Sequence, residues 1–174
     1  MTDSSRLKLK TVYVTYINST REKVWQALTS GEFTARYWGG RRIESDWQVG
    51  STVRHIRPDG GVDWEGEVLM AEPPAVLSYT FHMLISEQHR SNPPSQVTFR
   101  LEPHGGVTRL TLVHEHAEPD TVTEETTGHG WPAILSSLKS LLEVGRPLPF
   151  PSLGFGPCGA EDGRVEQQSA RRLP

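Results

Sequence analysis

The stretch from Thr11 to Trp38 constrains the fold more than any other part of this chain, because a strand pattern, a helix start and an aromatic turn follow one another without interruption. From Thr11 to Ile17 β-branched and aromatic residues alternate, placing Val12, Val14 and Tyr16 on one face and Tyr13, Thr15 and Ile17 on the other. A strand is predicted there. Ser19-Thr20-Arg21-Glu22 then has the capping-box pattern, in which the serine hydroxyl accepts an orphaned backbone N–H and the glutamate reaches back to the cap. A helix should begin at that point. Val24, Trp25 and Leu28 fall on one side of it, and Ser30-Gly31 supplies a terminator. Glu32 to Gly40 follows as a short aromatic turn or helix closed by Gly39 and Gly40.

Beyond Gly40, alternating segments recur at Arg42 to Asp46, Ser51 to Arg57, Trp64 to Ala71, Leu77 to Met83, Gln96 to Glu102 and Val107 to His114. Turn-forming residues separate them, and Pro103-His104-Gly105-Gly106 joins two apolar alternations in a hairpin. The spacing predicts a mostly antiparallel meander. From Gly130 to Glu143 the residues Trp131, Ile134, Leu135, Leu138, Leu141 and Leu142 mark one helical face. Pro132 fits a first turn most easily, although Thr123 to Gly130 could add a preceding segment kinked at the proline. Gly145 is a terminator. The division that follows is a flexible N-terminus over 1–8, one domain over 9–145 and a Pro/Gly-rich extended or disordered tail over 146–174.

Composition narrows the function classes. A chain of 174 residues suits one domain with a substantial core. The formal net charge of −3 provides no basic field for nucleic acid. A single cysteine, Cys158, forms no internal disulfide and no thiolate metal site, which is compatible with a reducing compartment. Met1 to Lys10 has no apolar signal core, and no apolar run is long enough to span a bilayer, so a cytoplasmic protein with no membrane partner is expected. Gly128-His129-Gly130 lacks the context of a dinucleotide fingerprint, and Ser136, Ser137 and Ser140 lack a nucleophile elbow. No cofactor is expected, and no catalytic residue is assigned.

Several short motifs occur in a characteristic order. They are Val24-Trp25-Gln26-Ala27-Leu28, Glu32-Phe33, Tyr37-Trp38-Gly39-Gly40, Trp47 with Val49-Gly50-Ser51, and Trp64-Glu65-Gly66-Glu67-Val68. Pro73-Pro74 before Leu77-Ser78-Tyr79-Thr80-Phe81, and Gly130-Trp131 before Leu135, complete the set. With these motifs the chain, from about Leu9 to Gly145, resembles the START-like helix-grip superfamily, which includes the birch-pollen allergen and the polyketide cyclases. The closer resemblance is to the domain named after the activator of the heat-shock-protein-90 ATPase. It implies an α+β helix-grip fold: a curved, mostly antiparallel sheet wrapped around a long C-terminal helix, with short helices after the first strand. It also implies that the space between sheet and helix is either packed or open to an apolar ligand.

The residues in phase with that space are Leu77, Tyr79 and Phe81, then Val97, Phe99 and Leu101, then Leu110, Leu112 and His114, with Trp131, Leu135 and Leu138 from the helix. Trp38 and Trp64 could close one end. The candidate ligand-binding set is therefore Trp38, Trp64, Tyr79, Phe81, Phe99, Leu112, His114, Trp131 and Leu135. Ordinary core packing accounts for such aromatics equally well. His114 is either a core-edge imidazole or the polar group that fixes a ligand, and His82, out of phase, reads as a surface residue. His114 and His116 could point the same way, but spacing places no third ligand, so no metal is expected. Three function classes follow. The first is a module binding a hydrophobic or amphipathic small molecule; the second is a cyclase- or hydrolase-like enzyme in which His114 or Tyr79 transfers protons; the third is a co-regulator of the chaperone ATPase. Homodimerisation is compatible with each. In the eukaryotic activators a separate N-terminal module accompanies the domain, and this length leaves no room for one.

Overall fold

The computed structural model describes residues 9–116 and 121–149. Seven strands form one open antiparallel sheet in the order β1-β7-β6-β5-β4-β3-β2. They run β1 Leu9–Ile17, β2 Arg42–Glu44, β3 Thr52–Ile56, β4 Val62–Glu72, β5 Val76–Met83, β6 Ser95–His104 and β7 Val107–His116. The helices are α1 Arg21–Thr29, α2 Gly31–Tyr37, α3 Glu87–Arg90 and α4 Thr121–Val144. The sheet curves around α4, and this is the helix-grip fold.

Strands β2 to β7 run as the meander that the alternation predicts, and the hairpin at the Pro103–Gly106 turn pairs His104 with Val107. Sequence order is broken only at β1, which lies antiparallel to β7. Its two faces differ: Val12, Val14 and Tyr16 are exposed, while Ile17 is buried and Tyr13 packs against the core.

Helix α1 starts one residue later than the capping box predicts. Thr20 is the cap, its hydroxyl accepting from Lys23 N at 3.4 Å. Ser19 is taken by the junction instead, its N–H bonding Ile17 O at 2.8 Å and its carbonyl accepting from Thr108 Oγ1 at 2.8 Å. With the cap moved, Glu22 falls in the first turn, where a carboxylate favours the positive end of the helix dipole. Helix α4 also departs from the simplest expectation. It is helical from Thr121, so Pro132 sits in its interior, as in the proline-interrupted alternative. The turn after Pro132 is tied by Ser136 Oγ donating to the Pro132 carbonyl at 2.6 Å. Helix α3, four residues long, has no apolar periodicity in the sequence to mark it.

Two ties seat α4. Glu143 Oε1 accepts from Asn18 N at 2.8 Å and from Lys139 Nζ at 2.6 Å, while Lys139 also donates to Tyr16 O. On the N-terminal side of these anchors the predicted stripe faces inward, with Trp131, Leu135 and Leu138 no more than 1% exposed. Strand β4 is pressed onto β5 at Gly66, where an added Cβ would lie 1.7 Å from Thr80 O. No helix among the described residues is long and apolar enough to cross a membrane. The flexible segment expected at 1–8 and the tail beyond residue 149 lie outside the described residues.

Candidate functional site

Period-two alternation builds one wall of the interior and the α4 stripe builds the other. Leu77, Tyr79 and Phe81 of β5, Val97, Phe99 and Leu101 of β6, and Leu110, Leu112 and His114 of β7 are all buried. The indole of Trp131 occupies the centre, its ring 5.5 Å from Trp38, 5.8 Å from Phe99, 6.0 Å from Phe81 and 6.1 Å from His114. Trp64 continues the surface, 4.7 Å from Phe81 and nearly parallel to Tyr79 at 5.4 Å and 8°. Seven of the nine predicted site residues thus form one run of touching rings, within the range in which aromatic pairs attract. Leu112 and Leu135 are buried with them. Trp38 and Trp64 belong to this wall.

His114 is held by two hydrogen bonds whose directions fix its tautomer. An indole N–H only donates, so Trp131 Nε1, 3.0 Å from His114 Nδ1, requires that nitrogen to be the acceptor. The proton therefore resides on Nε2, which donates to Ser95 Oγ at 2.6 Å, and Ser95 donates onward to Phe81 O at 3.0 Å. The imidazole is neutral. Burial lowers its pKa to about 3, with a smaller push from His116, whose ring stacks on it at 4.4 Å. Among the described residues no group of three histidine, cysteine or acidic side chains is arranged to hold a metal. His82 is half-buried, its Nε2 3.2 Å from Arg90 O.

A second polar group, absent from the predicted set, lies at the β3–β4 side of the ring wall. His55, in phase with Val53, turns inward between Trp38 at 4.2 Å and Trp64 at 5.1 Å. Behind it Asp63 accepts from Arg41 Nε on one oxygen and from Arg57 Nη1 on the other, and His55 Nδ1 stands 3.8 Å from Asp63 Oδ2. Burial, and then the charge of Arg41, lower the His55 pKa to about 3. The alternation of Thr52 to Ile56 carried the signal for His55, since Val53 fixes which residues point inward. Elsewhere, a solvent-open groove of about 590 Å³ runs beside β2 and β3, lined by residues such as Arg42, Glu44, Asp46 and Arg54. Its charges are mixed, and it holds none of the predicted site residues.

A curved antiparallel sheet that grips a C-terminal helix across a wall of aromatic rings defines a START-like helix-grip domain. The family described as Activator of Hsp90 ATPase homolog 1-like protein matches residues 18–143, and the chain belongs to that family. Among solved structures, a protein of Mesorhizobium loti shares 28% identity, with 77% of this chain and 96% of that chain covered and a TM-score of 0.65. The Aha1 dimer of Colwellia psychrerythraea shares 24% identity, covering 79% of this chain and 98% of that one at a TM-score of 0.64. An HSP90 activator of Plasmodium falciparum shares 17% identity, with 76% and 95% covered and a TM-score of 0.63. No curated protein matches the chain.

Proposed function

We propose that this protein is a small-molecule binding module that holds a hydrophobic or amphipathic ligand between the concave face of the sheet and α4. The observation that carries this reading is the run of rings from Trp38 through Trp64, Tyr79, Phe81 and Phe99 to Trp131, which gives the interior an aromatic, apolar lining with few polar groups. Recognition there depends on shape and apolar burial, because the described residues bring together no metal-ligand cluster. Native mass spectrometry of protein purified from its own host, with calorimetric titration of a panel of apolar and amphipathic compounds, tests the proposal. A retained or titratable ligand is expected. An empty mass together with no heat at millimolar ligand would leave ordinary core packing as the account of the rings.

An enzyme of the cyclase or hydrolase kind would need a proton-transferring group turned toward the ligand. His114 has both nitrogens engaged within the protein, and burial pushes the Tyr79 hydroxyl far above its ordinary range, so proton transfer by His114 would require a ligand to replace Trp131 or Ser95 as its partner, and a pH-dependent turnover tests this reading. The family itself favours a different second reading, a co-regulator of the Hsp90 ATPase, with the Plasmodium falciparum activator as a neighbour in fold. Addition of the protein to purified Hsp90 decides this reading, and an unaltered rate of ATP hydrolysis at saturating protein removes it. The homodimer expectation has the Colwellia psychrerythraea dimer beside it, and sedimentation of this chain at micromolar concentration measures it directly.

A further inference from the structure

Three buried polar atoms on one wall of the interior have no hydrogen-bond partner: His55 Nδ1, His55 Nε2 and Trp64 Nε1. Their side chains are 1% and 2% exposed, are paired across β3 and β4, and stack at 17°. Folding leaves few such atoms unsatisfied, because each has lost its water without regaining a bond. His55 Nδ1 lies toward Asp63, 3.8 Å from Oδ2, which leaves His55 Nε2 and Trp64 Nε1 as the two that a bound group could complete.

We propose that His55 and Trp64 form the polar end of the ligand chamber and recognise an uncharged oxygen, a hydroxyl or a carbonyl, on a ligand with a flat apolar body. This rests on the reading of the protein as a small-molecule binder and gives that ligand its chemical class. The indole N–H can only donate, so it demands an acceptor. A neutral imidazole offers one donor and one acceptor. A hydroxyl oxygen can accept from Trp64 while donating to the imidazole, and a carbonyl can accept from both rings through its two lone pairs. Burial keeps His55 neutral, which preserves this pattern. A carboxylate fits less well. It would carry its charge into a dry site whose neighbouring cations, Arg41 and Arg57, are already bound to Asp63. Trp38 packs on His55, and Tyr79 and Phe81 pack on Trp64, so the surroundings of the two rings are aromatic and suit an apolar ligand body.

The test is titration of the full chain with 2-naphthol, naphthalene and 2-naphthoate, which share one ring system and differ in the polar group. 2-Naphthol is expected to bind about three- to tenfold more tightly than naphthalene, the gain of one or two net hydrogen bonds, and 2-naphthoate more weakly than 2-naphthol. In Trp64→Phe and in His55→Phe the ratio of 2-naphthol to naphthalene affinity should shrink toward one, whatever change in naphthalene affinity the altered ring brings. Equal affinities of 2-naphthol and naphthalene in the parent would overturn the polar end and leave the chamber intact. Failure of all three probes to bind would instead overturn the chamber, and this inference with it. A readout on the unaltered protein avoids any dependence on how the variants fold: the ¹⁵N–¹H resonance of the Trp64 indole should move with 2-naphthol and differ from its position with naphthalene. An indole resonance indifferent to saturating 2-naphthol would overturn the assignment.

Discussion

His114 is buried with both ring nitrogens engaged, whereas His55 is buried with neither hydrogen-bonded, yet both are held neutral by the loss of water around them. Their pKa values fall from the ordinary 6.5 to about 3, so between those values the unfolded chain binds more protons than the folded one. Stability from these groups is therefore complete above about pH 6.5 and is lost as pH falls toward 3. Each histidine contributes a slope of up to about 1.4 kcal/mol per pH unit inside that window. Urea midpoints at about pH 7 and pH 5, a range in which ordinary carboxylates change little, should show the lower stability at pH 5. A midpoint independent of pH over that range would mean that neither imidazole is buried as described. Gly66 makes a second residue-level prediction. With Thr80 O 1.7 Å from where a Cβ would stand, Gly66→Ala must push β4 off β5, at a cost of about 1–3 kcal/mol or more. A melting temperature equal to the parent's would show that the two strands are not in such close approach.

Elements were legible in the sequence wherever one period ran long enough to outweigh local ambiguity. The alternation from Val97 to Leu101 and from Leu110 to His114 is strict, and the structure buries those residues together. The same logic applies to Thr52 to Ile56, but the neighbouring Arg54 and Arg57 obscure the inward phase of His55, which the structure buries between Trp38 and Trp64. At α1, Ser19 and Thr20 are equally competent caps, and the choice is made by Thr108, 89 residues away, which bonds the Ser19 carbonyl. No local pattern contains that information. In α4, propensity set Pro132 near a start, whereas the structure carries it inside a helix of 24 residues. The stripe itself was readable. Leu138 is 0% exposed at its centre, and Leu138→Ala is expected to destabilise the protein by about 2–5 kcal/mol. Chemical denaturation measures the loss, and coincident midpoints for variant and parent would place the stripe away from the core.

At the scale of the whole molecule, the pairing of β1 with β7 ties the start of the domain to its last strand, and α4 then returns to the same region through Lys139 and Glu143. The turns make the β2–β7 meander legible, but the place of β1 beside β7 is beyond the sequence, because alternation tells which residues share a face and not which distant strand lies alongside. The family resemblance supplied the grip of sheet on helix, and residues 18–143 carry it. The domain proposed over 9–145 contains every described strand and helix, and the described core runs from Ile17 to Leu141. After α4 the last described ties are short: Leu148 N donates to Ser137 Oγ at 3.2 Å, and Arg146 O accepts from Ser140 Oγ at 2.7 Å. Both are retained in a chain that ends at Pro149. The residues removed by such a truncation are rich in proline, glycine and charge and show no apolar period, so they have little capacity to bury surface. The shortened chain should therefore unfold within about 1 kcal/mol of the parent, and its 2-naphthol affinity should be unchanged. A larger drop in the urea midpoint would mean that residues 150–174 pack on the body. Unchanged stability with lost binding would place part of the ligand site in the tail.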